Sequence, residues 1–303
     1  MFRMKEIKRD PFSSLLPMQL QQLLNLLLLL ILAKYTAYVY YGWYEIFAVL
    51  LFTFIISSLL DYIQHRNIYY FSYASLSTAL GVLLMTISTH LWITLLAISV
   101  GLAQKYILKI DHRHIFNPSN FALIFGLFFF YSDFHIVLGQ LGDSPYLSAL
   151  LLLLGITILY RVKRWIIPIG FTLFYLLFQY TIIIQTDPVI EMETLLLRFY
   201  SVSFVLFILF MLTDPKTTPD HPLAQLLFAS IIALSATLLD YFNGFRMQHL
   251  FMALFIISGS WPLLTPKGSK KQERYLRWGI FVLAMGAIIL IELRPPYYFA
   301  MDT

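Results

Sequence analysis

Long apolar runs recur along the chain, and short polar segments separate them. A run of about 18 or more apolar residues is long enough to cross the hydrocarbon core of a bilayer as a helix. The pattern predicts eleven such spans, near residues 15–39, 42–63, 72–89, 91–108, 117–133, 146–160, 165–184, 195–212, 223–240, 247–264 and 276–293. We therefore predict an all-α polytopic membrane protein with about eleven transmembrane helices.

The composition supports a membrane protein and excludes several cofactors. The chain is 59% hydrophobic and 12% charged, whereas a soluble domain is about 25% charged. It has no cysteine, which excludes disulfides, thiolate-ligated iron–sulfur clusters and covalently attached c-type haem. None of the seven histidines lies in the middle of a predicted span, which argues against haem held between helices. His112 and His114 are too few for a metal site, so none is predicted.

Lysine and arginine are unevenly distributed between the two sides that these spans define. If the N-terminus is cytoplasmic, 17 of the 21 lysines and arginines lie on the cytoplasmic side, as the positive-inside rule requires. The basic segment 1–14 would then be cytoplasmic and the C-terminus outside. This topology explains the net charge of +5, so we expect the lipid bilayer as a partner and no nucleic acid.

The chain shows no linker, so residues 15–303 are predicted to form a single transmembrane domain. Residues 71–85 resemble 197–211, and residues 112–126 resemble 245–259. Repeats of about 15–133 and 146–264 would follow, with the helix 276–293 appended. Because each repeat has five spans, the second is inverted, and sites in inverted repeats lie at the repeat interface.

The densest polar cluster, KIDHRHIFNPSN, precedes the fifth span. Asn117 followed by Pro118 is typical of an N-cap and a first helical residue. The free N–H groups of such a helix start, with Arg113 and His114 just ahead of it, suit a phosphate or the edge of a flavin ring. A capped helix with a basic cytoplasmic loop is the alternative.

A second polar segment, LTDPKTTPDHP, lies between the eighth and ninth spans on the same predicted side. Two proline-stiffened helix starts on one side favour a shared site, although two independent turns would give the same pattern. The candidate ligands are Arg113, His114, Asn117, Asn120, Thr213, Asp214, Lys216 and Thr217.

Other polar residues have simpler interpretations. Ser75 is a further candidate ligand, but small hydroxyl residues also let helices pack closely. Four acids lie near span limits: Glu45, Asp61, Asp240 and Glu292. They are interpreted as solvated helix ends rather than as parts of a proton or sodium relay.

KYILKIDHRHIFNPSNFALI and FMLTDPKTTP resemble the paired signatures of the RnfD/NqrB family, most closely its stand-alone UnbU-like branch. These proteins are membrane subunits of the Rnf ferredoxin:NAD oxidoreductase and of the sodium-translocating NADH:quinone reductase. The resemblance covers about residues 20–265. Asn117, Pro118 and Asn120 match the family's Asn-Pro motif, and Thr213, Asp214 and Pro215 match its Thr-Asp-Pro motif.

The resemblance implies an inverted five-plus-five fold like that of urea and ammonium channels, and a subunit of a membrane oxidoreductase in a bacterial-type inner membrane. It also implies flavin chemistry and soluble or membrane redox subunits as partners. The family's threonine motif for covalent FMN is missing from residues 132–148. We therefore expect non-covalent FMN or riboflavin, or a quinone, on the cytoplasmic side. A cofactor-free channel or transporter for a small solute, or a scaffold for redox partners, are the alternatives.

Overall fold

The computed structural model describes residues 17–36, 39–66, 72–110, 113–137, 145–186, 192–264 and 271–294. Helices form most of these ranges and confirm an all-α polytopic membrane protein. The predicted N-terminal segment 1–14 and His112 lie outside the described residues.

Helices are present at all eleven predicted spans. Their bounds are α1 Met18–Thr36, α2 Trp43–His65, α3 Tyr73–Met85, α4 Leu91–Ile107, α5 Pro118–Phe129, α6 Pro145–Val162, α7 Ile166–Phe178, α8 Met192–Tyr200, α9 Val202–Leu206, α10 Pro222–Asn243, α11 Gln248–Leu264 and α12 Lys271–Glu292. Helices α7 and α9 continue as π-helical turns over Gln179–Ile184 and Phe207–Met211.

Four helices in the described part of the chain are long and apolar enough to cross a membrane: Met18–Thr36, Trp43–Gln64, Ile166–Ile184 and Pro222–Asn243. The shorter apolar helices include α3 and α5, of 13 and 12 residues. At 1.5 Å per residue each of these two covers about 20 Å of a hydrocarbon core of about 30 Å. Other backbone must therefore complete these two spans.

Extended backbone follows α3 and α5, where the sequence predicted continuous helices over 72–89 and 117–133. Strand β1 (Thr86–Ser88) pairs antiparallel with β4 (Phe134–Ile136). Thr86 and Phe134 are fully buried, and non-helical backbone at membrane depth is tolerated when protein covers it and its hydrogen bonds are made. A Cβ at Gly126 of α5 would lie 2.4 Å from the Phe134 ring, so this packing requires glycine.

The eighth predicted span, 195–212, is divided rather than continuous. Helix α8 ends at Tyr200, Ser201 is extended with ψ 126°, and α9 begins at Val202. The wider π turn then carries the chain to Met211, with Leu212 N–H bonded to the Phe207 carbonyl at 2.9 Å. Short and interrupted helices therefore occur in both halves of the chain.

Two sets of packed helices matter for the polar residues of the molecule, one around α1 and α3 and the other around α11. Helix α1 packs on α3 and α6, and α3 also contacts α9; helix α11 packs on α10, α12 and α5. Just beyond α12, Arg294 donates to the Leu127 carbonyl near the end of α5 at 3.4 Å. Its guanidinium also lies against the rings of Phe128 and Tyr131, so α12 packs against the end of α5.

A short antiparallel pair, β2 (Lys109–Ile110) and β3 (Arg113–His114), joins α4 to α5. This ribbon leads into Asn117 and sets the direction from which α5 starts. We call the side of the molecule that carries Asn117 the Asn117 face.

Candidate functional site

Asn117 caps α5 as its position before Pro118 predicted. Its Oδ1 accepts from the backbone N–H groups of Ser119 at 3.0 Å and Asn120 at 3.2 Å. Two of the free donors at the helix start are thereby satisfied. The side-chain Nδ2 points the other way and donates to Asp214 Oδ2 at 3.2 Å. The cap therefore joins the two polar segments directly.

Asp214 is the centre of the contact between these segments. Its Oδ2 lies 3.4 Å from His114 Nε2, and its Oδ1 accepts from Lys216 N–H at 3.0 Å. Burial alone would raise the pKa of the Asp214 carboxyl, but its hydrogen bond to His114 and the charge of His114 lower it. Asp214 is therefore a carboxylate held by donors from both segments.

The turn after Asp214 is closed by its own hydroxyl groups. The Asp214 carbonyl accepts from Thr218 Oγ1 at 2.8 Å and from Thr217 Oγ1 at 3.3 Å. Thr213 Oγ1 donates to the Leu209 carbonyl in the preceding π turn. These bonds fix the turn so that the Asp214 side chain faces α5.

A cavity of about 180 Å³ lies beside Asp214. Its walls come from α1, α3, α4, α5, α6, α9 and the π turn after α9, so both halves of the chain contribute. The side chains that give the wall its polar character include Gln22, Ser77, Thr78, Lys105, His114 and Asp214.

Only part of the predicted residue set lines this cavity. His114, Asn117, Thr213, Asp214 and Lys216 do; the lining does not include Arg113, Ser75, Asn120 or Thr217. Arg113 is half exposed and binds Asp220 at 2.9 Å. Ser75 bonds Ser72 at 2.8 Å at the start of α3.

Asn120 is fully buried, and neither polar atom of its amide has a hydrogen-bond partner among the described residues. Ser75, Asn120 and Thr217 therefore surround the site without facing the cavity.

Lys105 is the charged cavity residue that the sequence analysis did not predict as a ligand; Gln22, Ser77 and Thr78 also line the cavity without having been predicted. Lys105 lies in the last turn of α4, inside the span predicted at 91–108, and was counted only as one of the cytoplasmic cations. A lysine within an apolar span is costly unless it is paired or functional, and that signal was present in the sequence.

Comparison with known families adds evidence independent of this geometry. Residues 129–266 match the model of the NQR2, RnfD, RnfE family. The match supports membership of the RnfD/NqrB family. No curated protein matches the chain. The family interval includes Thr213, Asp214 and Lys216, while the Asn117 segment precedes it.

The RnfD/NqrB interval also includes a buried charged cluster at the other end of the helices. Arg198 binds Asp240 at 2.8 Å, and His249 binds the same carboxylate at 2.7 Å. The side chains of Asp240 and His249 have no exposed surface, and 1% of the Arg198 side chain is exposed. Beyond the interval, Glu292 of α12 lies 3.4 Å from His249.

For three of the four acids, Asp61, Asp240 and Glu292, the interpretation as solvated helix ends is wrong. As whole residues, Asp240 is 3% exposed and Asp61 is 7% exposed. The side chain of Glu292 is 9% exposed. Each has a polar partner on another helix, since Asp61 accepts from Tyr106 at 2.6 Å. Position near a span limit did not reveal burial because the covering side chains come from other helices that are distant in sequence.

Proposed function

We propose that the chain is an RnfD/NqrB-like electron-transfer component of a membrane, and that it binds a redox-active ring in the cavity beside Asp214. The ring would belong to a non-covalent flavin, FMN or riboflavin, or to a quinone. The single observation that carries the proposal is the placement of Lys105 and His114 in a cavity that the family's Thr-Asp-Pro segment encloses.

The donors of the cavity fit such a ring. Flavins and quinones carry carbonyl oxygens and gain negative charge when they are reduced. An ammonium group and N–H donors in a low-dielectric site stabilise that charge. Lys105 supplies the ammonium, while the contacts that Asp214 makes with His114 and Asn117 hold both side chains in place.

The hydroxyl groups of α3 can accept hydrogen bonds, whereas Lys105 donates them. Ser77 Oγ donates to the Tyr73 carbonyl at 3.1 Å, and Thr78 Oγ1 donates to the Ala74 carbonyl at 3.0 Å. Their hydrogens are thus committed to the helix, and their lone pairs remain as acceptors. One wall would accept hydrogen bonds while Lys105 on another donates them.

The size of the cavity limits what it can enclose. Its volume of about 180 Å³ is smaller than the roughly 300–1,000 Å³ of pockets that bury whole drug-sized ligands. It suits a quinone head group or part of a flavin ring system. The phosphate of an FMN or the tail of a quinone would lie outside it.

We further propose that the Asn117 face is the cytoplasmic one and that redox subunits dock there. The charge bias of the sequence supports this orientation. Exposed Arg113 and Lys216 lie beside the cavity, where an acidic partner would meet them. The position of the cavity between α1 and α6, the first helices of the two predicted repeats, is consistent with an inverted five-plus-five architecture.

The test is to purify the full chain in mild detergent and record its absorbance spectrum. The chromophore is then extracted with acid for a flavin or with organic solvent for a quinone, and identified by mass spectrometry. We expect one bound ring per chain. In Lys105→Gln, occupancy should fall about tenfold, because a hydrogen bond to a charged group contributes about 1.5 kcal/mol or more.

Lys109→Gln is the matched control, because Lys109 is exposed and lies against the Tyr106 ring rather than in the cavity. It should leave occupancy unchanged. A folded wild-type preparation that yields no flavin or quinone would overturn the proposal, as would equal occupancy in wild type and Lys105→Gln.

The small volume favours one second candidate, a channel or transporter for a small solute without a cofactor. A colourless, folded protein that speeds solute entry into liposomes would support it. Reduction of that flux by Lys105→Gln, but not by Lys109→Gln, would assign the flux to the same cavity.

A further inference from the structure

The buried cluster around Asp240 lies far from the cavity. Asp240 is 18 residues along α10 from Pro222, which begins the helix at the Asn117 face, or about 27 Å at 1.5 Å per residue. Helix α11 begins near Asp240 and returns, and Gly259 of α11 packs beside Phe116. The cluster thus belongs to the opposite face, and its role does not depend on what the cavity binds.

The partners of Asp240 show that it is ionised. Oδ2 accepts from Tyr175 OH at 3.2 Å, from Gln179 Nε2 at 2.8 Å and from Arg198 Nη1 at 2.8 Å. Oδ1 accepts from His249 Nδ1 at 2.7 Å and from Arg246 N–H at 3.2 Å. Five donors occupy its lone pairs, so neither a proton nor a metal cation has room to bind this carboxylate.

That arrangement fixes the proton on one nitrogen of His249. Nδ1 must carry hydrogen in order to donate to Asp240, so only Nε2 is open to change. Nε2 faces Glu292 Oε1 at 3.4 Å. Nε2 is buried and makes no hydrogen bond to any described residue, so a proton on Nε2 or on the Glu292 carboxyl would make this contact attractive.

The charges of the surroundings favour the state in which this proton is bound. The charges of Arg198 and Asp240 cancel each other. The pair of His249 and Glu292 has no net charge when it holds one proton. Loss of the proton would leave a net negative charge in a buried site, which is costly. Helix α11 packs on α10, α12 and α5. Helix α5 contains no titratable residue, so it adds no charge to this site.

The neighbours that set the site are therefore Asp240 of α10, Glu292 of α12, Arg198 of α8 and Tyr175 of α7. Within the cluster, Glu292 is the most exposed of the ionisable side chains, with 9% of its surface accessible compared with none for His249. Gln248 Nε2 also donates to Glu292 Oε1 at 3.3 Å. Glu292 is thus the point at which the pair can exchange with solvent.

We propose that His249 and Glu292 form an exchangeable-proton site, oriented by Asp240 and loaded from the face opposite the cavity. The pair binds and releases one proton between Nε2 and the carboxylate, while Nδ1 keeps its hydrogen on the bond to Asp240. Arg198 keeps Asp240 anionic throughout.

The test is nitrogen NMR of the full chain in lipid nanodiscs with ¹⁵N-labelled histidine, from about pH 5 to 8. His249→Gln assigns the signals of His249. In wild type we expect Nδ1 to stay protonated and Nε2 to show one pH-dependent transition. In Glu292→Gln the midpoint should move down by at least one pH unit, a tenfold loss of proton affinity, because the anionic partner is removed.

Glu45→Gln is the matched control. Glu45 lies at the start of α2, where it accepts from Gly42 N–H at 2.7 Å, and glutamine serves equally well in that capping position. It should leave the His249 midpoint unchanged.

Three results would overturn the proposal: an Nδ1 without hydrogen, an Nε2 signal that does not change with pH, or the same midpoint in Glu292→Gln and wild type. The first two are read from wild-type signals that His249→Gln has assigned, so they decide the matter even if Glu292→Gln does not fold.

Discussion

Asp214 is the more buried of the two carboxylates through which the polar segments contact each other, the other being exposed Asp220. The segments are about a hundred residues apart, and Asp214 accepts from Asn117 and lies against His114. Only 17% of its side chain is exposed, so these contacts are shielded from water. The Asp214 carboxylate therefore holds the residue that caps α5 and also forms part of the cavity wall.

Asp214→Asn should lower the free energy of unfolding by about 1.5–3 kcal/mol, the usual contribution of hydrogen bonds to a charged group. The lowered pKa of Asp214 means that this contribution is complete above its ordinary pKa of about 3.9. It is lost as the pH falls through the lowered value. Thermal unfolding in detergent should show a constant difference between wild type and variant down to about pH 4, and a shrinking one below.

Asp220→Asn provides the comparison, because it makes the same change in the same turn. The Asp220 side chain is 62% exposed and pairs with half-exposed Arg113 and with Arg164, whose side chain is 12% exposed. Because Asp220 itself is open to water, we expect these pairs to contribute about 0–1 kcal/mol. Equal destabilisation by the two variants would contradict the role given to Asp214.

At the scale of elements, the paired strands β1 and β4 explain how two short helices complete their spans. Helices α3 and α5 end at Met85 and Phe129, and the strands that follow satisfy each other's backbone. The Phe134 ring anchors this pair against α5 at Gly126. A larger side chain at Gly126 would therefore disturb the spans of both α3 and α5.

Gly126→Ala should destabilise the protein by about 1–3 kcal/mol, since the added methyl group overlaps the Phe134 ring. Gly279→Ala on α12 adds the same methyl group where nothing lies within 4 Å. It should leave stability unchanged or raise it by up to about 1 kcal/mol, because alanine favours helix. Unfolding temperatures in one detergent would measure both; a Gly126→Ala protein as stable as wild type would rule out the tight contact.

At the scale of the whole molecule, two polar sites occupy opposite faces of an apolar body. The cavity and its cations lie at the Asn117 face, while Asp240, His249 and Glu292 lie at the other. Intervening side chains such as Phe207, Phe251 and Leu254 are buried and apolar.

The orientation of these faces can be tested directly because the chain has no cysteine. Lys216→Cys places an exposed thiol on the Asn117 face, and Ser132→Cys places one on the opposite face. With a membrane-impermeant maleimide on intact bacterial cells, we expect Ser132→Cys to be labelled and Lys216→Cys to be labelled only after the membrane is opened. The reverse pattern would invert the proposed topology, and labelling of both in intact cells would contradict it.

The sequence predicted what depends on local patterns. Apolar runs located the helices, and Asn-Pro predicted the cap at Asn117. It did not predict the break at Ser201 or the β1–β4 pair, because apolar residues suit helix and extended backbone alike once both are buried. The cluster at Asp240 was missed because its members come from positions 175, 198, 240, 249 and 292, and none of them alone indicates a buried cluster.

The last helix and the residues just after it make two contacts with earlier parts of the chain. Glu292 meets His249, Arg294 meets the end of α5, and both lie beyond residue 266, where the family match stops. A chain cut after residue 266 would lose both contacts, so that the Nε2 atom of buried His249 would have no acidic side chain beside it. We therefore expect such a truncated chain to be less stable than the full chain, because a buried polar atom is costly when its partner is removed.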